Sequence, residues 1–281
     1  MGHRQIIHQL KQEAANIHGE TVIVSFYPHP RKIVKSGADI ALLNIPEEKI
    51  SLLATEGIDH LVIVPFTQAF AEQTADEYIS DFLVGLIKPH TIIIGYDHRF
   101  GKNRAGDYLM LEACSEKYGF TVKEIPEKVL HETAVSSTRI REALSAGDIE
   151  TANELLGYYY FFEGTVVEGN KLGRTIGYPT ANIQVNNTDK LIPGNGVYAV
   201  TIKSKNRLFK GMMNIGVRPT VDGTKRTIEV NIFDFDEDIY NTTIQVYLHY
   251  LLRGEQKFSG LDALKVQLAN DKANALKKLA E

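Results

Sequence analysis

Cysteine is almost missing from this chain. Cys114 stands alone among 281 residues, so no disulfide can close within one molecule, and a reducing compartment, the cytoplasm, is the expected location. Cys114 falls at an apolar position of a predicted helix and reads as a buried thiol. Long apolar runs are missing too: none approaches the roughly 18 residues that crossing a bilayer requires, and the polar N-terminus has no signal-type apolar region. MGHRQI fails the myristoylation pattern, which needs Ser or Thr where Ile6 stands. A soluble protein with no membrane partner is expected. Charge of one sign is also scarce, with 31 Lys and Arg against 35 Asp and Glu. A net charge of -4 gives no polyelectrolyte signature, and nucleic acid is not an expected partner.

Motifs for several chemistries are absent. No Walker A pattern occurs, which disfavours a P-loop NTPase. The histidines show no zinc spacing, since His131-Glu132 lacks a returning histidine. DFDEDIY fails as an EF-hand because Ile239 takes the glycine position and Gln245 the final glutamate position. A charged hairpin turn is the better reading of that run.

A chain of this length suits two domains, at roughly 100 to 200 residues each. It opens on an amphipathic helix, with Ile6, Ile7, Leu10, Ala14 and Ile17 near the 3.6 period. From residue 21 to about 125, short apolar runs (TVIVSF, LVIVPF, TIIIG, FTVKEI) alternate with helices predicted from Pro46, near 75–87 and near 106–118. Such alternation predicts a parallel sheet covered on both faces, a doubly wound α/β fold. A last helix is expected over 137–156, from a Ser-Ser-Thr start to Gly157. After GYYYFFEG the texture becomes antiparallel β. TIEVNIF puts Ile228, Val230 and Ile232 on one face, and TIQVYLHYL puts Ile244, Val246, Leu248 and Tyr250 on one face. A small sheet or barrel follows, then a helix after Ser259, where SGLD resembles a capping box and Leu261, Leu264, Leu268 and Leu276 form the expected buried stripe. The boundary is expected near 156–160, giving domains 1–157 and 158–281.

Ligands of open α/β sheets bind beyond the carboxyl ends of the strands. The segments there are polar: YPHPRK, PFTQ, GYDHRFGKNRAGD, and then SSTRIR at the expected helix start. SSTRIR combines hydroxyls with Arg139 and Arg141 and reads either as a phosphate site built on free helix N–H groups or as an ordinary N-cap. His29, between two prolines, is a presented phosphate contact or a turn residue. Asp97, His98 and Arg99 form a recognition loop or a solvated one.

In the second half, EGNKLGRTIGYPTANIQV leads through glycines to Pro179-Thr180-Ala181-Asn182. Glycine admits backbone N–H groups to phosphate, and a hydroxyl and an amide oxygen two residues apart on an extended segment can face one Mg²⁺; a turn with a polar strand edge is the alternative. Alternation sets Glu229 opposite Ile228, Val230 and Ile232 and beside Asn231 in register, on a solvated face or held for chemistry.

Taken together, Gly2-His3, YPHP at 27–30, GYDHRFG at 95–101 and SSTRIR at 136–141 resemble the FMN adenylyltransferase half of the bifunctional riboflavin kinase/FAD synthetase family. KLGRTIGYPTAN, GVYAV, MNIGVRPT, TIEVNIFDFDEDIY and LLRGEQKF follow in the order of its riboflavin kinase half. The resemblance implies a Rossmann-like nucleotidylyltransferase domain followed by an antiparallel β-barrel with a C-terminal helix. It implies phosphorylation of riboflavin to FMN and adenylylation of FMN to FAD, with ATP as co-substrate and Mg²⁺ as cofactor. His3 matches the second histidine of the family's HxGH motif, and Met1 falls at the variable position. The preceding strand and first histidine are missing, so the first domain is expected to be N-terminally incomplete, with a true start upstream. By resemblance, His3, His29, Ser137, Thr138 and Arg141 contact ATP phosphates in the first half and Asp97 lies near flavin. Gly173 and Arg174 lie in the second ATP-phosphate loop, Thr180 and Asn182 hold Mg²⁺ and phosphate, Glu229 activates the riboflavin hydroxyl, and Arg253 and Glu255 lie by the flavin. Asn231 departs from a frequent histidine and carries no catalytic role in the pattern. Two alternatives remain at this point: another nucleotidylyltransferase fused to an unrelated barrel, and a non-catalytic flavin-binding protein.

Overall fold

The structure is a computed structural model that describes residues 2–34, 41–95, 97–125, 127–169, 172–220 and 223–280, with residues 2–3, 130, 132–136, 172, 218–220 and 223–225 described by backbone alone. Two compact units emerge, Met1–Ile40 with Pro46–Ser137, and Ala41–Ile45 with Thr138–Glu281.

The first unit runs α1 (Gly2–Asn16), β1 (Val22–Tyr27), α2 (Pro30–Val34), α3 (Pro46–Thr55), β2 (His60–Pro65), α4 (Gln68–Ala71), α5 (Ala75–Glu77), β3 (Thr91–Gly95), α6 (Tyr108–Tyr118) and β4 (Thr121–Ile125), and then enters α7 (Glu127–Ala146). Thr74 and Glu77 form a reciprocal capping box that starts α5, which continues as a π-helix over Tyr78–Ile87. The apolar runs form strands as expected, but not one sheet. β1 pairs with β2 and β3 with β4, both in parallel, and no ladder joins the two pairs among the described residues. Val24, Phe26, Val64, Ile92, Ile94 and Val122 nevertheless pack on one core built around Tyr78, Ile79, Phe82, Phe100, Leu111 and Phe120. No residue of β1 or β2 is fully buried, whereas β3 and β4 end on the buried Gly95 and Ile125. Cys114 also packs there, half-buried rather than buried.

The helix expected to begin at SSTRIR is two helices. α7 starts ten residues earlier than Ser137, and Gly147 interrupts before α8 (Ile149–Leu156), which is capped by Asp148 and closed by Gly157 in the left-handed region. EKVLHETAV already carries helical character, so the Ser-Ser-Thr cluster continues a helix and does not start one.

In the second unit β5 (Phe161–Val167), α9 (Leu172–Thr175), β6 (Ala181–Gln184), β7 (Gly196–Ser204), β8 (Arg207–Thr220), β9 (Gly223–Ile232) and β10 (Thr243–Arg253) build a closed antiparallel barrel in the order β10-β5-β6-β9-β8-β7. Ile228, Val230 and Ile232 point into its core with Ile244, Val246 and Leu248. Closure removes every sheet edge. β9 and β10 are not neighbours in that order. The DFDEDIY segment is therefore a crossover between opposite sides of the barrel, not the expected hairpin turn, and Phe233 and Ile239 tuck under it. Tyr250 also leaves the expected face: a bulge after Leu248 sets Leu248 against Val200 and Tyr250 against Ala199, and the extra residue, His249, reverses the alternation.

α10 (Leu261–Lys278) lies against the outside of β7, β8 and β10. The expected capping box is absent, because the N-cap is Gly260 and no side chain caps it. The expected leucine stripe is also displaced: Leu261 and Leu276 are exposed, while Asp271 and Ala275 are buried and Leu268 and Leu279 pack against the barrel wall. The buried face is therefore Leu264, Leu268, Asp271, Ala275 and Leu279, at steps of three and four.

Candidate active site

The outer face of the barrel opposite its core is where chemistry-bearing residues collect. Antiparallel register sets Asn182 of β6 opposite Glu229 of β9, and Glu229 opposite Asn214 of β8. Directly opposed residues share one face. Asn182, Glu229 and Asn214 thus form a row, with Asn231 and Met212 in the parallel row two residues along. These side chains face a cavity of about 330 Å³ that also receives Gly173, Tyr178, Thr180, Arg253, Glu255, Phe258, Leu264 and Leu268.

Local backbone chemistry shapes its two ends. At one end, a Cβ on Gly169 would stand 2.0 Å from the Asn182 amide nitrogen, and one on Gly173 would stand 2.2 Å from the Tyr178 carbonyl oxygen. Only glycine lets those segments close on the PTAN strand. The Asn231 Nδ2 donates to the Pro179 carbonyl at 2.6 Å, which fixes the strand entry just before Thr180. At the other end, Asn195 Nδ2 donates to Glu255 Oε2 at 2.9 Å, and Arg253 is held by Asp271 through Nε at 3.1 Å and Nη2 at 2.9 Å.

Of the residues expected in this half, Gly173, Thr180, Asn182, Glu229, Arg253 and Glu255 are brought together in one cavity. Arg174 sits exposed in α9 and does not line it. Sequence reading missed Asn214, which pairing to Glu229 would have revealed had the strand register been known. It also missed Phe258, whose surroundings a loop sequence does not announce, and it gave Asn231 no part.

Of the residues expected in the other half, His29 and Asp97 follow strands, His3 lies in α1, and Ser137, Thr138 and Arg141 lie in α7, with Thr138 and Arg141 in the second unit. His29 follows β1, and its Nδ1 accepts from the Arg31 backbone N–H at 3.2 Å. Asp97 is exposed beyond β3, and Tyr96 before it lies outside the described residues. The loop is not simply solvated. Phe100 stacks on Tyr78 at 4.8 Å, and the Lys102 N–H donates to the Gln73 carbonyl at 2.6 Å. Burial holds the His98 imidazole below its ordinary value, against the pull of Asp97 and with the push of Arg104 and Arg99. His3 stands in the first turn of α1, and its side chain lies outside the described residues. Ser137 is half-buried, Thr138 exposed, and Arg141 Nε donates to the Ala41 carbonyl at 3.1 Å. The expected phosphate grip by helix-terminal N–H groups is corrected: Ser137 and Thr138 lie inside α7, where backbone N–H groups are spent on the helix ladder.

The riboflavin kinase family model (Flavokinase) matches residues 156–279, and the FAD synthetase model (FAD_syn) matches residues 1–139. The bifunctional riboflavin kinase/FMN adenylyltransferase of Haemophilus influenzae is 38% identical over 272 residues, covering 96% of this chain and 88% of that protein. This chain belongs to that family. It is an ATP-using enzyme with a riboflavin kinase domain and an FMN adenylyltransferase domain. The enzyme of the same description from Bacillus subtilis is 35% identical over 99% of this chain and 88% of its own length. Among solved structures, a Streptococcus pneumoniae protein described as a macrolide-efflux protein matches with a TM-score of 0.83 and 31% identity, over 97% of this chain and 88% of that one. That description stays with the pneumococcal protein. No helix among the described residues here is long and apolar enough to cross a membrane.

Proposed function

We propose that Glu229 is the general base of the kinase half, taking the proton of the riboflavin 5′-hydroxyl as the γ-phosphoryl group arrives. The supporting observation is the register that sets Glu229 opposite Asn182 in a cavity shared with Thr180. Phosphoryl transfer needs positioning and charge stabilisation more than covalent help. Thr180 and Asn182 offer neutral oxygens, the donor chemistry that suits Mg²⁺ carried on nucleotide phosphates, and Gly169 leaves room for no bulkier neighbour at Asn182. When bound with ATP, that ion neutralises phosphate charge. Gly173 would border the phosphates, with the exposed Arg174 next to it in α9 and outside the cavity lining, and Arg253 and Glu255 would border the flavin. In the adenylyltransferase half, His3, His29, Ser137, Thr138 and Arg141 would contact ATP phosphates through their side chains, with Asp97 near the flavin, as AMP joins FMN and pyrophosphate leaves. The working division is 1–157 and 158–281, in the cytoplasm, with riboflavin, FMN and ATP as partners.

Replacing Glu229 with Gln keeps the shape and one acceptor oxygen while removing the base. FMN formation from riboflavin should fall by about 10²–10⁴-fold, with riboflavin affinity within about twofold by fluorescence quenching. A variant with undiminished turnover rejects the assignment.

A further inference from the structure

The buried stripe of α10 carries a charge that the kinase chemistry itself does not require. Asp271 is 1% exposed. Its carboxylate accepts from Arg253 Nε at 3.1 Å to each oxygen and from Arg253 Nη2 at 2.9 Å, and Gln267 Nε2 donates to Oδ1 at 2.8 Å. Arg253 Nη1 donates to the Gly254 carbonyl at 3.1 Å, and its guanidinium carbon lies 5.5 Å from the Phe258 ring centroid. Arg253 and Phe258 line the cavity; Asp271 is outside that lining and grips Arg253 from α10. Burying an aspartate is costly, and an apolar residue would serve a plain helix–barrel seam as well or better.

We propose that Asp271 is a positioning residue for the flavin ring, acting through Arg253; this rests on the kinase reading. Two consequences of the pair carry the inference. The carboxylate cancels the guanidinium charge and leaves the Glu255 carboxylate as the uncancelled charge there, so the Phe258 end of the cavity does not compete with the Gly173–Asn182 end for an anionic triphosphate. The pair also fixes the guanidinium plane, because Nε, Nη1 and Nη2 each donate to a group outside the cavity, which leaves a rigid flat surface beside Phe258, Leu264 and Leu268. A neutral planar isoalloxazine fits that end by chemistry.

The test compares the full-length enzyme with Asp271→Asn and with the double variant Arg253→Met/Asp271→Leu. It measures riboflavin affinity by quenching of flavin fluorescence in MgADP, KM for ATP, and melting temperature. Asp271→Asn should weaken riboflavin binding about tenfold and leave KM for ATP within about twofold, while melting falls by roughly 5–15 °C. The double variant, with no buried charge, should recover most of the melting temperature and still bind riboflavin weakly. A double variant that recovers both overturns the proposal, since the pair would then be only a staple. So would an Asp271→Asn enzyme with wild-type riboflavin affinity, or one in which KM for ATP rises in parallel. Wild-type enzyme that binds riboflavin without producing FMN would instead defeat the kinase reading, and the affinity comparison would still decide the role of Asp271.

Discussion

Asn231 shows what a side chain does through a neighbour's backbone. Strand alternation put it beside Glu229 but said nothing of its partner, and a residue without acid–base chemistry was given no role. In the fold it is 7% exposed and donates to the Pro179 carbonyl, so it sets where Thr180 and Asn182 begin. Losing such a buried hydrogen bond costs about 1–3 kcal/mol. Asn231→Leu should therefore raise KM for ATP by about five- to fiftyfold, with a smaller change in KM for riboflavin. Initial-rate kinetics with each substrate varied will separate the two. His249 is legible in the same partial way. The sequence shows a histidine inside an alternating strand; only the structure shows that it is the bulge residue, bonded through Nε2 to Thr201 Oγ1 at 2.9 Å and 4.0 Å from the Tyr159 ring. Burial pushes its imidazole down from 6.5 to about 4. Between those values the unfolded chain takes up a proton that the folded one refuses, so folding stability is intact above about pH 6.5 and declines as pH falls toward 4. After allowance for solvent screening of this partly exposed ring, the loss is about 1–2 kcal/mol. Urea midpoints at pH 7 and pH 5 should differ less in His249→Gln than in the native sequence.

At the scale of elements, apolar periodicity locates β1 to β4, β9 and β10, leaves β5 to β8 undrawn within the antiparallel texture, and misplaces what depends on context. Apolar runs announce strands because burial demands them, so TVIVSF, TIIIG and TIEVNIF are found where expected. Their partners are another matter. No local feature says that β1–β2 and β3–β4 stay separate pairs, or that DFDEDIY crosses the barrel. A hydroxyl cluster at Ser136–Thr138 looks like a cap until the helical residues before it are counted in. The stripe of α10 departs from the leucine pattern because a charge normally belongs to solvent, and here Asp271 occupies the centre of the buried face. The two sheet types should behave differently. Two-stranded pairs are marginal on their own and lean on side-chain packing, whereas the barrel has no edge and a core with Val200, Val230 and Val246 at 0% exposure. Amides of β7 to β10 should therefore exchange with deuterium about 10²–10³-fold more slowly than those of β1 to β4. Equal protection in both sets would show that the parallel pairs are stabilised by something other than the observed packing.

At the scale of the whole molecule, two cores serve two reactions. One gathers around Tyr78, Phe82 and Leu111, the other around Tyr160, Tyr198 and Leu248, and among the described residues the cavity holding Glu229 is lined by the second unit. The product of the kinase domain is the substrate of the adenylyltransferase domain, so FAD output from riboflavin depends on both, whereas output from added FMN depends on one. A substitution confined to the proposed base, a residue of neither core, makes Glu229→Gln a test of this division as well as of the base. Given riboflavin, MgATP and time, the variant should make almost no FAD. Given FMN in place of riboflavin, it should make FAD at the same rate as the native sequence, within about twofold, because the proposed role of this carboxylate is confined to the first step. Chromatographic separation of riboflavin, FMN and FAD from the same time course reads all three. If FMN-fed FAD synthesis fell together with the kinase step, the two reactions would share machinery, and the assignment of separate sites to the two halves would have to be withdrawn.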